Sequence, residues 1–256
     1  MGLRAVKQQV LALLAEAGPL PEVDYSGRPE ALLAVRDAEA AADVTLPVAP
    51  ELADKLAALP WHQVLKVLLS LFCHNEPAFR WRAVSLLGPL VAELAEQDME
   101  AARVMMRRLM WSLNDESGGI GWGAPEAMAE CLVWHAGLAE EYGHILVSFM
   151  REDGFFLEYP PLQRGLMWGL GRLAAVRPQL LRQKKAPDYL LPYLSSPDAA
   201  VRGLAARALG LLQTVAARQP LQALLVDRAP VIYYHRERLL TVTVADLAAV
   251  AVRRLA

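Results

Sequence analysis

The 256-residue chain holds 45 Leu and 42 Ala but only 3 Ile and 4 Thr. The leading helix formers dominate and two favoured strand residues are scarce, which all but excludes a β-sandwich or barrel. A mean hydropathy of +0.23 with 21% charged residues is too apolar for a disordered chain, yet no apolar run reaches the roughly 18–20 residues that span a bilayer. The net charge of −2 conceals a split: residues 1–159 carry 12 Lys/Arg against 23 Asp/Glu, and residues 160–256 carry 14 against 5. This is a charge dipole along the chain, able to steer partners or self-association.

Residues 3–17 read as a first helix, stopped by Gly18-Pro19. Its Arg4, Lys7 and Val10 to Leu14 imitate a secretory signal, but the apolar stretch is too short and is flanked by Gln8, Gln9 and Glu16. Pro21, Pro29, Pro47, Pro50 and Pro60 then punctuate short helical pieces at 31–42 and 51–59. Residues 1–60 therefore read as an irregular helical cap that shields the first apolar face of a stack. From Trp61 to the end, helical patterns alternate with short breaks, as in one continuous array over 61–256. Two isolated cysteines, Cys73 and Cys131, fit a reducing compartment, and the cytoplasm is the expected location.

Internal similarity organises this array. The stretch from Asn75 to Gly88 superimposes on Pro197 to Gly210: Arg80 falls on Arg202, Ala83 on Ala205, and Leu87-Gly88 on Leu209-Gly210. A third copy runs from Tyr159 to Gly171, and a diverged one places Leu132 at the glycine position. The anchors at 88, 132, 171 and 210 are separated by 44, 39 and 39 residues, and a last unit is expected around Ala229 to Leu240.

The pattern from Asp198 through Val201, Arg202, Ala205, Ala208, Leu209 and Gly210 resembles the HEAT-repeat family, particularly the short repeats of phycobilisome-lyase-like proteins. The resemblance covers roughly residues 61–255 and implies helical hairpins whose second helices line a concave face. Elementary physics agrees with it. The acid caps the second helix, Ala lets helices approach, and the apolar spacing buries one face on the next hairpin. The expected fold is an all-α, right-handed α-solenoid of about five HEAT-like hairpins behind the N-terminal cap.

The most unusual segment is the loop 114–124, with Asn114, Asp115, Glu116 and four glycines around Trp122. Glycines there allow positive φ and close backbone approach. A helix precedes the loop and no Gly-Lys-Ser/Thr follows, so a phosphate loop is excluded. Its acids suit a guanidinium or a peptide, while the plain alternative is a turn with Trp122 plugging the core. Cys73-His74 with Cys131 and His135 do not make an established zinc spacing. Arg164, Arg172, Arg177, Arg182, Lys184, Lys185, Arg202, Arg207, Arg236 and Arg238 form a basic group. The resemblance implies, as an alternative, a DNA glycosylase-like protein with a basic groove, which the acidic first half of the chain disfavours. It also implies, more weakly, a bilin lyase-like role.

The sequence shows no coherent acid–base, nucleophile or metal set and calls for no cofactor. The reading is a non-catalytic interaction or scaffold module that presents Arg80, Arg164, Arg202 and the loop residues Asn114, Asp115, Glu116 and Trp122 to a protein or peptide partner, with no membrane involvement.

Overall fold

The computed structural model describes residues 2–40, 50–113 and 121–255. The chain opens with α1 (Leu3–Glu16), a short strand β1 (Glu22–Asp24), α2 (Pro29–Ala40) and α3 (Pro50–Ala57). The array follows: α4 (Trp61–Leu71), α5 (Pro77–Gln97), α6 (Met99–Leu113), α7 (Ala124–Trp134), α8 (Ala136–Ser148) and α9 (Pro160–Val176). Then come α10 (Pro178–Gln183), α11 (Ala186–Leu190) with a 3-10 turn at Leu191–Ser195, α12 (Ala199–Leu211) and α13 (Arg218–Ala223). The strands β2 (Pro230–His235) and β3 (Arg238–Thr243) lead into α14 (Val244–Arg254).

Helices α5, α7, α9, α12 and α14 pack side by side in that order. The helices preceding each of them, from α4 to α13, form a second layer, so five successive pairs build an all-α solenoid. All four sequence anchors lie in the row of second helices, and their chemistry is explained there. A Cβ on Gly88 would come 2.7 Å from the Trp134 ring, and one on Gly210 would come 2.6 Å from the Ala251 backbone. Any side chain at either position would push neighbouring helices apart. Leu87, Leu132, Leu170 and Leu209 beside these contacts are fully buried, each contributing about 2 kcal/mol of transfer free energy.

Local signals start the helices. Pro77 and Pro160 occupy first turns, where no N–H is missed. Asp198 caps α12 by accepting the Val201 N–H at 3.1 Å. Thr243 and Asp246 form a reciprocal capping box on α14. Asp246 also accepts the N–H of Gly27 at 3.1 Å, which ties the N-terminal segment to the last helix.

The unit expected around Ala229 to Leu240 is not a repeat helix but a β-hairpin inserted between α13 and α14. Val231 to Tyr234 and Leu239 to Thr243 concentrate β-branched and aromatic residues, among them one of the three Ile and two of the four Thr, and these suit a half-buried strand. β2 and β3 pair antiparallel across the two-residue turn Arg236-Glu237, where φ is 43° and 59°. Residues in this left-handed conformation match the twist of a tight hairpin. β1 joins β3 in parallel, Val23 opposite Leu240, giving the order β1-β3-β2.

This small sheet packs on the helical row. The Tyr234 ring stacks on Trp81 at 4.8 Å, Trp168 Nε1 donates to the Tyr234 carbonyl at 2.7 Å, and the Arg207 guanidinium lies over Tyr233. Arg82, 2% exposed, locks the arrangement: it donates to the carbonyls of Leu14, Ala17 and Gly18 at the end of α1 and to Glu237 Oε2 at 2.7 Å in the hairpin turn.

Candidate binding groove

Part of the row's face remains open beside the sheet, as a groove of about 220 Å³. Four row helices and β2 build it. Arg80 and Trp81 come from α5; Trp122, Gly123 and Glu126 come from the start of α7; Pro161, Arg164, Gly165 and Trp168 come from α9. Ala200 and Leu204 of α12 and Ile232 and Tyr233 of β2 complete the wall.

Three residues singled out in the sequence, Arg80, Trp122 and Arg164, thus share one groove. Trp122 is half-buried and meets Tyr159 edge-on at 5.9 Å. The glycines on either side of it behave as the sequence suggested: Gly123 has φ of 72° at the start of α7, and a Cβ on Gly121 would meet the Ser112 carbonyl at 2.7 Å. Asn114, Asp115 and Glu116 lie outside the described residues.

The three arginines differ in their engagement. Arg164 donates through Nε and Nη2 to Asp198 Oδ2, at 2.8 and 2.6 Å. Burial works against the Asp198 charge, but the Arg164 bond and the α12 amides outweigh it and hold that carboxyl below its usual range. Arg202 lies outside the groove. It grips Asp227 Oδ2 at 2.7 and 3.0 Å and the carbonyls of Ser196 and Pro197, a set that leaves little of its fork for a partner. Arg80 lies 5.9 Å from the Trp81 ring and forms no ion pair among the described residues.

Glu126 was not evident from sequence, where it reads as an ordinary first-turn acid. Its carboxyl packs on Gly165 of α9, where a Cβ would approach it to 2.5 Å. Oε2 is buried without a hydrogen-bond partner. Burial pushes this carboxyl up to about 7, against the opposing pull of its own backbone bond and of Arg80. Ile232 was also missed. The hairpin turn makes His235 and Arg238 a hydrogen-bonded pair, so Tyr233 and Leu240 pair likewise while the backbone groups of Tyr234 and Ile232 point away from β3. The Trp168 bond to the Tyr234 carbonyl agrees with this alternation. Ile232, 62% exposed, therefore presents an N–H and a C=O on the groove side.

The remaining candidates separate. Cys131 is fully buried in the core, and burial pushes its thiol far up, whereas Cys73 is exposed. His135 accepts the Leu138 N–H at 3.0 Å as the cap of α8. Much of the basic group is engaged inside the fold. Arg177 donates to the carbonyls of Leu132 and Val133, Arg182 to that of Leu212, and Arg172 to Glu130. A larger hollow of about 690 Å³ between residues 150–156 and 188–197 contains none of the sequence-predicted site residues. Among the described residues no helix is long and apolar enough to cross a membrane.

No curated protein matches the sequence. Among solved structures, a designed armadillo repeat protein is 18% identical over 98% of this chain and 100% of its own, with a TM-score of 0.49. Another designed armadillo repeat protein, in complex with the peptide (KR)4, is 16% identical over 98% and 99%, also at 0.49. An engineered protein is similar at 16% identity over 100% and 97%, again at 0.49. The family model of the HEAT-like repeat matches residues 160–212, the span from α9 to the end of α12. The chain therefore carries a HEAT-like repeat over α9 to α12, a span that includes one of the two clearest sequence units, 197–210.

Proposed function

We propose that the protein is a non-catalytic interaction module that holds a segment of a partner protein in the groove between α5, α7, α9, α12 and β2. The observation that carries this reading is the convergence of an open aromatic wall with an unpaired strand edge. Trp81 and Trp122, both partly exposed, offer apolar surface, and Ile232 offers one main-chain donor and one acceptor. Those are the elements with which extended peptides are bound, main-chain bonds supplying affinity and side-chain niches specificity. At about 220 Å³ the groove is smaller than the ~300–1,000 Å³ usual for small-molecule sites. It suits one or two anchoring side chains and is too small for a tetrapyrrole. The engagement of Arg172, Arg177, Arg182 and Arg202 inside the fold favours a protein over a nucleic acid, which needs several free cations along its path.

The sheet narrows the proposal. It covers part of the row's face that the repeat pattern alone would leave to a partner, so binding concentrates at the N-terminal ends of α7 and α9. A peptide-display selection on the whole protein tests this, followed by titration of recovered peptides on Trp122→Ala and Ile232→Asp. Both substitutions are expected to weaken binding about tenfold or more. Recovered peptides that bind both variants as they bind the wild type would overturn the reading.

A further inference from the structure

Two arginines of the helical row reach forward to an acid at the start of the next element. Arg164 of α9 holds Asp198, the cap of α12, and Arg202 of α12 holds Asp227, which precedes β2. Arg80 stands in the same place on α5, aligned with Arg202 by the repeat, and the next row helix is α7. There the cap is Gly123, which has no carboxylate. The next acid along, Glu126, has turned its carboxyl onto Gly165 of α9 and lies beyond ion-pair distance of Arg80. Among the described residues no such forward pair joins α5 to α7 or α7 to α9, and at the first of these steps Arg80 opens into the groove.

We propose that the groove recognises an acidic side chain, Asp or Glu, of the bound segment, which pairs with Arg80 as Asp198 pairs with Arg164. The inference rests on the peptide-binding reading above and names its chemical specificity. Arg164 Nη1, not used by Asp198, lies on the same wall and adds positive potential. Trp81 backs the Arg80 guanidinium and keeps it at the groove wall. Burial raises the Glu126 carboxyl to about 7, so near neutral pH it is only partly ionised and offsets the Arg80 charge weakly.

Fluorescence anisotropy on the full-length protein at low salt tests the idea, using short fluorescein-labelled peptides rich in Val and Thr that carry one central Glu, Gln or Lys. The Glu peptide is expected to bind about tenfold more tightly than the Gln peptide, as a charge-assisted pair requires, and the Lys peptide least. Arg80→Gln should abolish the difference, and Arg80→Glu should reverse the order. The wild-type series stands by itself should either variant misfold. If the peptides bind in a Trp122-dependent way but without preference among Glu, Gln and Lys, the inference falls and the groove reading survives. If no peptide binds, or if binding ignores Trp122→Ala, both fall.

Discussion

Replacing Arg82 with Met tests the clamp that joins three parts of the chain. Arg82 sits on α5 and is 2% exposed, yet all three of its side-chain nitrogens are engaged: Nε with Glu237, Nη1 with the Leu14 and Gly18 carbonyls, and Nη2 with the Ala17 carbonyl. Met fills the volume of the aliphatic stem but leaves the last carbonyls of α1 without a partner and the Glu237 carboxylate without its cation. Breaking a buried ion pair from one side costs about 3–5 kcal/mol. Glu237 is 28% exposed and regains some hydration, so the lower part of that range applies, with about 1 kcal/mol added for the orphaned carbonyls. A total near 4 kcal/mol is a large share of the ~5–15 kcal/mol typical of folded domains. Urea unfolding should show it as a lower midpoint at unchanged slope. Because the two side chains touch, Glu237→Gln added to Arg82→Met should cost about 1–2 kcal/mol less than Glu237→Gln alone. Hydrogen exchange should also lose protection first in β1 and the hairpin. A loss below about 1 kcal/mol, or strict additivity of the two changes, would refute the clamp.

Two further predictions concern the helical array. The Glu126 carboxyl is held up to about 7 in the folded state, above its ordinary value of 4.5, so the folded state binds the proton more tightly than the unfolded one. Stability should therefore fall as pH rises from about 4.5 to 7 and stay lower above that, by roughly 3.4 kcal/mol at most. Glu126→Gln should remove this slope, leaving the variant more stable than wild type at pH 8 and equal to it at pH 5; parallel pH profiles in urea unfolding would contradict the burial argument. The second contrasts two glycines. Gly210→Ala drives a methyl into the Ala251 backbone at 2.6 Å and should cost about 1–3 kcal/mol, whereas Gly143→Ala comes no nearer than 3.2 Å, to the end of the Leu180 side chain, and should be near neutral. Equal melting temperatures for the two variants would dispose of the close-packing account.

Residues whose role depends on near neighbours were legible in the sequence. Asp198 three residues before Val201 is a cap wherever α12 goes, and Gly88 and Gly210 recur because α5 meets α7, and α12 meets α14, at the same point. Arg80 was found because repeat alignment places it on Arg202, Trp122 because its loop interrupts the repeat, and Arg164 because it opens the run of basic residues. The hairpin was hidden by averaging: Ile and Thr are rare overall, but one of the three Ile and two of the four Thr lie within residues 230–243. Glu126 was hidden because its burial is produced by Gly165 on a different helix, and Ile232 because an edge is known only once its partners are.

The sequence by itself determined a helical, Leu- and Ala-packed repeat solenoid, because helix periodicity, caps and repeat spacing act over a few residues or recur at a fixed interval. Only the tertiary structure decided that the two ends of the chain meet. β1 lies beside β3, Arg82 holds Glu237 across a separation of 155 residues, and Gly27 reaches Asp246 across 219. Such pairs leave no local pattern, since their free energy depends on which surfaces face each other after the solenoid has formed. The same closure places a sheet on the helical row, and its strand β2 forms one wall of the groove.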